Sequence, residues 1–393
     1  MAKHNSGGRS RHFISRPLVA LALALIMVAG LVTAWRQLGD RIDDEPAVAA
    51  ADECLEGPAK ASILADPGIA PALQKIAEDF NKTKPVIRDY CVTVEVRPAD
   101  ARATLEGLTA TTWDTKTYGE FPAAWVPQSS IWAATLQTSK AEVFQGKPES
   151  LVSSPIRLAM EPEIAEAGAN SIAWADLPAQ TQANSLGEFG RRSWGSLRIA
   201  MPNGPQSDAT ALSSQAVAAG TVPTTSPLTA AQASSPPVTE ALDRLMSAPP
   251  RVGDGSVDAA VRSIAETTDP ADAPVRAVAV TEQQLYAITK DDKTARVAAV
   301  APKGQTPVAD YPAIRLADKA IPAHLSDAVG QFFTFARKPV QMEILTKSGF
   351  RGSGPLPEPT ATVDFGEVRD QMPVPEPEAS VIISRKVYPA AAL

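Results

Sequence analysis

Histidine is scarce in this 393-residue chain: there are three, His4, His12 and His324. A metal centre built on imidazoles, or a Ser-His-Asp triad, would have to rest on His324 alone, because the other two precede a membrane-like segment. No Gly-x-Ser-x-Gly elbow is present, and no Ser-x-x-Lys at a helix start. The nearby carboxylates Glu161 and Glu163 read as solvated charges at a helix N-terminus. Basic residues do not exceed acidic ones; Lys and Arg number 37 against 44 Asp and Glu, for a net charge of -7. With no basic stripe, nucleic acid is not an expected partner. Aromatic content is only 5%. These shortages point away from catalysis, so no catalytic residue, cofactor or metal site is expected.

One long apolar run is present, Pro17 to Trp35, PLVALALALIMVAGLVTAW. At 1.5 Å per residue it reaches about 28 Å, close to the hydrocarbon thickness of a bilayer. Lys3, Arg9, Arg11 and Arg16 precede it with no acidic residue among them, which assigns 1–16 to the cytoplasm and the remaining chain to the outside. One reading is an uncleaved signal anchor over 17–35, making a single-pass cell-membrane protein with an extracytoplasmic domain. The other is a long signal peptide cut near AVAAA, Ala47 to Ala51. The length of the run and its distance from that cut favour the anchor. Residues 36–58 read as a tether. Both cysteines, Cys54 and Cys91, lie beyond the run. In an oxidising compartment an isolated pair most simply forms one disulfide, here tying the start of the domain to its second strand. Two buried thiols are the alternative.

From Lys60 the chain alternates strand and helix patterns. KASILAD is apolar and strand-like, Asp66-Pro67-Gly68 is a turn, and Ile69, Leu73, Ile76, Ala77 and Phe80 recur at helical spacing. CVTVEVRP, Cys91 to Pro98, alternates as a strand. Phe121 to Val126 reads as a third strand, with a helix from about Ser130. Strand-then-helix units recur over 153–167, 195–220 and 275–291, with a further strand over 296–304. The stretch 324–350 is amphipathic and helical, with Phe332, Phe333 and Phe335 pointing to burial. Such alternation predicts α/β lobes with parallel, doubly wound sheets. Thr221 to Val238, rich in Ser, Thr, Pro and Ala, reads as a mobile surface insertion. The proline-rich tail, 353–393, is expected to be extended and solvated or to lie across the domain, with VIISRKV able to pair as an edge strand.

The order of ILADPGIAPAL, AWVPQSSIWA, LVSSPIRLAM, LRIAMPNGPQSDATAL, VAVTEQQLYA, DYPAIRL and FFTFARKPVQMEILTKSGFRG resembles bacterial extracellular solute-binding proteins. More narrowly, it is similar to the substrate-binding domain that actinobacteria place before a von Willebrand factor A domain, here without that domain. The likeness covers about Ala59 to Gly352. It implies a two-lobed periplasmic-binding-protein type II fold. Lobe 1 would hold 59–153 plus 305–352 and lobe 2 would hold 154–304. The crossings are expected near Ser153-Ser154-Pro155 and near Val300 to Pro307.

In such a fold the loops that follow strands face the cleft, and helix N-termini there offer unpaired amides. The candidate ligand residues are therefore Asp66, Gln128, Ser129, Ser130, Ser153, Ser154, Asn203, Ser207, Thr210, Glu282 and Gln283. Trp132 would supply an apolar wall, and Tyr311 resembles a family position near the hinge. Each has a plainer reading. Ser129 or Ser130 as an N-cap stabilises by about 1 kcal/mol. Ser153 and Ser154 can be hinge features, Asn203-Gly204-Pro205 a turn, Glu282 a cap and Tyr311 a packing residue beside Pro312. Asp208 would repel an anion, so it caps its helix or marks a neutral or cationic ligand. Only Arg157 and Lys303 lie near enough to be considered as fixed cations.

Two functions follow from different classes. The first is a membrane-tethered solute-binding protein that captures a small polar ligand between lobes and passes it to a transporter. The second is a non-catalytic cell-envelope interaction protein that binds a membrane protein, glycan or lipid on the same scaffold. A tether of about 20 residues reaches roughly 25 Å when flexible, which suits a fixed partner at the membrane. A tail lying in the cleft would favour the second.

Overall fold

The computed structural model describes residues 27, 30–33, 54–168, 171–294 and 296–388. The expected 17–35 anchor and 36–58 tether fall largely outside these residues. Among the described residues no helix is long and apolar enough to cross a membrane.

The strands are β1 (Gly57–Ala65), β2 (Val86–Ile87), β3 (Tyr90–Pro98), β4 (Ala124–Val126), β5 (Glu149–Ser150), β6 (Ser154–Met160), β7 (Ile199–Ala200), β8 (Ala277–Thr281), β9 (Ala298–Val300), β10 (Val308–Ala309) and β11 (Pro312–Arg315). They form two sheets. The first has the order β2-β3-β1-β4-β11-β5, and the second β10-β6-β8-β7 with β9 also on β6. Central strands are covered on both faces, so Ala61–Ala65 of β1 and all of β6 are buried; continuous apolar runs, not alternation, are what such strands require.

The sheets are mixed, which corrects the expected parallel, doubly wound arrangement. β1 runs parallel to β3 and β4, but β11 is antiparallel to β4. In the second sheet β7 and β8 are parallel, and β6 is antiparallel to β8 and β9. Strand–helix alternation tells that helices cover a sheet. It does not tell the direction of a strand that arrives from the other lobe, as β11 does.

The helices that matter here are α1 (Ala70–Lys82), α2 (Ala101–Thr109), α3 (Ser130–Lys140), α4 (Asp208–Thr221), α5 (Pro236–Leu245), α6 (Glu282–Thr289), α7 (Ala323–Ala336), α8 (Pro339–Lys347) and α9 (Pro377–Val387). α1 buries Leu73, Ile76, Ala77 and Phe80, the predicted stripe. Phe80 meets Phe332 and Phe335 of α7 edge-on. Cys54 and Cys91 are disulfide-bonded and lie 37 residues apart in sequence.

The chain passes from β5 of the first sheet to β6 of the second at 151–153. It returns between β10 and β11 through Asp310 and Tyr311, a few residues beyond the expected Val300 to Pro307. The crossings are joined, because Leu151 N–H donates to the Tyr311 carbonyl (3.1 Å) and Tyr311 N–H to the Gln128 carbonyl (3.2 Å).

Two low-complexity stretches are more ordered than their composition suggests. Within 221–238, Thr229 and Gln232 form a capping box at the short helix Ala230–Ala233. α5 then begins with two prolines in its first turn, where a missing N–H costs nothing, and buries Val238, Leu242 and Leu245. The stretch lies largely at the surface of the second lobe and is anchored there by the buried Leu228, Ala233 and Val238. In the tail, VIISRKV is helical in α9 and is not an edge strand. Proline opens that helix, Glu378 sits in its first turn, and Arg385 and Lys386 sit in its last, matching the helix dipole. α9 packs on α3 of the first lobe and α4 of the second, bridging them.

Candidate functional site

β4 ends at the buried Val126, and Pro127 turns the chain into Gln128, Ser129 and the first turn of α3. Ser129 has an extended N-cap backbone, yet its hydroxyl does not cap. It donates instead across the lobe seam to Asp208 Oδ2 at 2.6 Å. Trp132 Nε1 donates to both Asp208 oxygens, at 2.8 and 2.9 Å. The Asp208 backbone N–H donates to Gln128 Oε1 (3.2 Å). The start of α3 therefore meets the start of α4, with one carboxylate between them. Asp208 is buried, and no salt bridge reaches it among the described residues. Burial pushes its pKa up to about 7, although the Ser129 and Trp132 donors pull the other way.

Ser130 turns toward the hinge. Its N–H donates to Asp310 Oδ1 (2.7 Å) and its hydroxyl to Asp310 Oδ2. The cap of α3 is thus an aspartate 180 residues away in sequence, and burial raises its pKa.

Asp66 follows β1 and is buried. Its Oδ1 accepts from Gly68 N–H at 2.9 Å and, more weakly, from Gln206 Nε2 of the second lobe at 3.4 Å. Burial raises its pKa to about 6. Gln206 holds a left-handed backbone (φ 55), and so does Tyr311 (φ 39), a conformation that costs non-glycine residues of order 1 kcal/mol or more. Tyr311 is fully buried against Phe350. Burial drives its hydroxyl pKa well above normal, and the Asp66 and Asp208 charges add to this. The hydroxyl faces Gln128 and Thr281 without a well-formed hydrogen bond to either. Gln128 Nε2, Thr210 Oγ1, Gln283 Oε1 and the Tyr311 hydroxyl are all buried and unpartnered.

Other candidates are held in structural contacts. Glu282 is clamped by Arg157 (3.0 Å) and by Arg351 (2.7 Å), so Arg157 is already neutralised. Ser154 Oγ accepts the Gln283 N–H at 2.9 Å and caps α6. Ser153 pairs through its backbone with Arg351. Lys303 pairs with Ala173, within the second lobe. Asn203 is exposed, and its carbonyl accepts from Arg102 of α2 (2.9 Å). Ser207 donates to the Gly204 carbonyl at 2.5 Å and lies 3.3 Å from the Tyr388 hydroxyl. Tyr388 is buried, stacks obliquely on Trp132 (5.4 Å), and carries the Arg102 guanidinium over its ring (4.9 Å). Trp132 is therefore a wall, but one faced by the chain's own tail. His324 stacks on Tyr90, remote from the seam. Among the described residues no group of three or more His, Cys, Asp or Glu is placed to hold a metal.

Residues 61–351 match the family described as bacterial extracellular solute-binding protein. The chain belongs to that family. It is also 35% identical over 367 residues to the uncharacterized proteins MT1884 and Rv1836c of Mycobacterium tuberculosis strains CDC 1551 / Oshkosh and H37Rv. That alignment takes in 93% of this chain, which spans 52% of the length of those relatives. Solved structures of similar fold include the ferric binding protein from Campylobacter jejuni (TM-score 0.55, 13% identity, 83% of this chain and 97% of that one). Iron-bound HitA from Pseudomonas aeruginosa is similar at TM-score 0.56 and 13% identity, over 84% of this chain and 99% of that one. AfuA from Actinobacillus pleuropneumoniae, with fructose-6-phosphate bound, gives 0.53 and 11%, over 84% and 96%. At such identities these likenesses establish the two-lobed α/β binding-protein fold. Membership of the family implies an extracytoplasmic place for the domain.

Sequence reading missed Asp310, Arg351 and Tyr388, while Gln206 falls inside the loop Asn203 to Ser207 expected to face the cleft. Asp310 sits in DYPAIRL beside the quoted Tyr311, so adjacency to a hinge candidate was the available signal. Nothing local marks Tyr388, since its importance comes from a tail that folds back onto α3 and α4.

Proposed function

We propose that the chain is a membrane-tethered binding protein that closes its two lobes over a small polar solute and presents it to a transporter. The observation that carries this reading is the set of buried, unpartnered polar groups at the seam, Gln128 Nε2, Thr210 Oγ1, Gln283 Oε1 and the Tyr311 hydroxyl. Leaving such a group unmatched costs about 1–3 kcal/mol, and a solute that supplies the missing partners would recover that cost. The strained backbones of Gln206 and Tyr311 at the same seam support it. The apolar run 17–35 supports an anchor, and the 36–58 stretch a tether. Asp66, Gln128, Gln283, Thr210 and Tyr311 are the ligand residues in this reading. Glu282, Ser153 and Ser154 hold the hinge.

The test is thermal unfolding of the full chain in detergent against oxyanions, amino acids, amines, sugars and short peptides. A solute at a hundred times its Kd should stabilise by about 2.7 kcal/mol. A shift for one class, lost in Gln128→Ala, supports capture. No shift across the panel rejects it.

A second reading is favoured by one observation, α9 with Tyr388 lying across both lobes. There the scaffold serves as an envelope interaction protein, with the seam held shut by its own tail. Crosslinking in membranes to one stable protein partner, with no solute response, would select that reading.

A further inference from the structure

We infer that the solute carries a protonated amine, bound between the Asp66 carboxylate and Gln283 Oε1. This inference rests on the solute-capture reading and names its ligand class.

The argument is a count of donors and acceptors at one spot. Asp66 is buried without a cation: no salt bridge reaches it among the described residues, and its only cross-lobe donor is Gln206 Nε2 at 3.4 Å. Gln283 Oε1 is buried with no donor. Its orientation is fixed, because Gln283 Nε2 donates to the Ser348 carbonyl (3.3 Å); turning the amide over would set two carbonyl oxygens against each other. Both oxygens face Gly68. A Cβ placed on Gly68 would lie 3.0 Å from Asp66 Oδ1, 3.0 Å from Gln206 Nε2 and 3.7 Å from Gln283 Oε1. The corner has no room even for a methyl group, so an amine can enter only if Gln206, whose backbone is left-handed (φ 55), gives way.

Two acceptors and one uncompensated carboxylate select the ligand. An anion entering here would meet the Asp66 charge with no arginine or lysine to offset it. A neutral hydroxyl has a single proton to give and no charge. An ammonium group has three donors and a positive charge, so it serves both oxygens and neutralises Asp66. The 3.4 Å Gln206 contact is the weakest bond to Asp66 and is the one an entering amine would displace. The Tyr311 hydroxyl and Gln128 Nε2 are left to read the uncharged part of the solute.

The experiment is titration calorimetry and thermal unfolding of the full chain in detergent. The probes are ethanolamine, putrescine, glycine, acetate, inorganic phosphate and glucose. Amine-bearing probes are expected to bind, and Asp66→Asn to weaken them about 10- to 100-fold, as expected for a charge-assisted hydrogen bond. Gln283→Leu should weaken them in the same direction, and it carries the test if Asp66→Asn does not fold. Binding of acetate, phosphate or glucose with the amines inert overturns the ligand class but leaves solute capture standing. Amine binding that survives both substitutions overturns the site. Silence from every probe overturns the capture reading and this inference with it.

Discussion

Asp208 is the residue on which the seam turns. It is buried, takes three hydrogen bonds from Ser129 and Trp132, and has no salt-bridge partner among the described residues. Its pKa moves from the ordinary 3.8 to about 7 in the folded protein. The protonated form is thus favoured by folding. The stabilisation is complete below about pH 4 and is lost as pH rises through about 7. A displacement of that size corresponds to about 4 kcal/mol at most. Melting temperature measured from pH 5 to 8 should therefore fall for this contribution, and Asp208→Asn should flatten the profile while keeping an acceptor for Trp132. Asp66 acts in the same sense over a lower window, to about pH 6. An unchanged profile in Asp208→Asn would show that the group titrates elsewhere. Gly68 offers a second residue-scale test. Gly68→Ala places a methyl 3.0 Å from Asp66 Oδ1 and Gln206 Nε2, so it should weaken any solute response at least as much as it lowers stability.

Among elements, α9 carries the largest structural surprise. Tyr388 fills the gap between Trp132, Arg102 and Ser207, and Ser380 accepts from Gln215 Nε2 at 2.9 Å. Tyr388→Ala should cost about 3–5 kcal/mol, the range for deleting a buried large aromatic, read by chemical unfolding. The same element shows how far the sequence could be read. Helix α1, strands β1 and β3 and the Phe332 face of α7 were legible because periodicity and burial agree there. α9 was not, because Val381-Ile382-Ile383 favours strand by composition and only its packing on α3 and α4 decides otherwise. In the site, Ser129 and Ser130 were placed at the right turn, but their partners, Asp208 and Asp310, are 79 and 180 residues away. Spacing along the chain carries no information about such pairs.

At the scale of the whole molecule, the lobes are held by charge as well as by the seam. Glu282 is nearly sealed from solvent, with 2% of its side chain exposed, and it binds Arg157 in its own lobe and Arg351, which follows α8. Glu282→Ala would strand a buried guanidinium and should destabilise by about 3–5 kcal/mol, whereas Glu282→Gln should cost less. Removal of 377–393 is a different perturbation. It leaves this clamp intact and takes away the bridge between α3 and α4, so small-angle scattering should show a larger radius of gyration with both lobes still folded. An unchanged radius would mean that the hinge and the Asp208 bonds hold the lobes without help.

The position of α9 in the chain also sets an order of events. A polypeptide made from its N-terminus has β1, β3 and β4 long before β11, which arrives after the whole second lobe has been synthesised. The first sheet therefore waits for its fifth strand in spatial order, and the seam waits longer still, for Tyr388. Until α9 and Tyr388 emerge, Trp132, Ser129 and Asp208 lack the aromatic cover that Tyr388 provides. Assembly of the interlobe region is thus a late step, and a nascent chain stalled before residue 377 should display a seam without the cover that α9 provides.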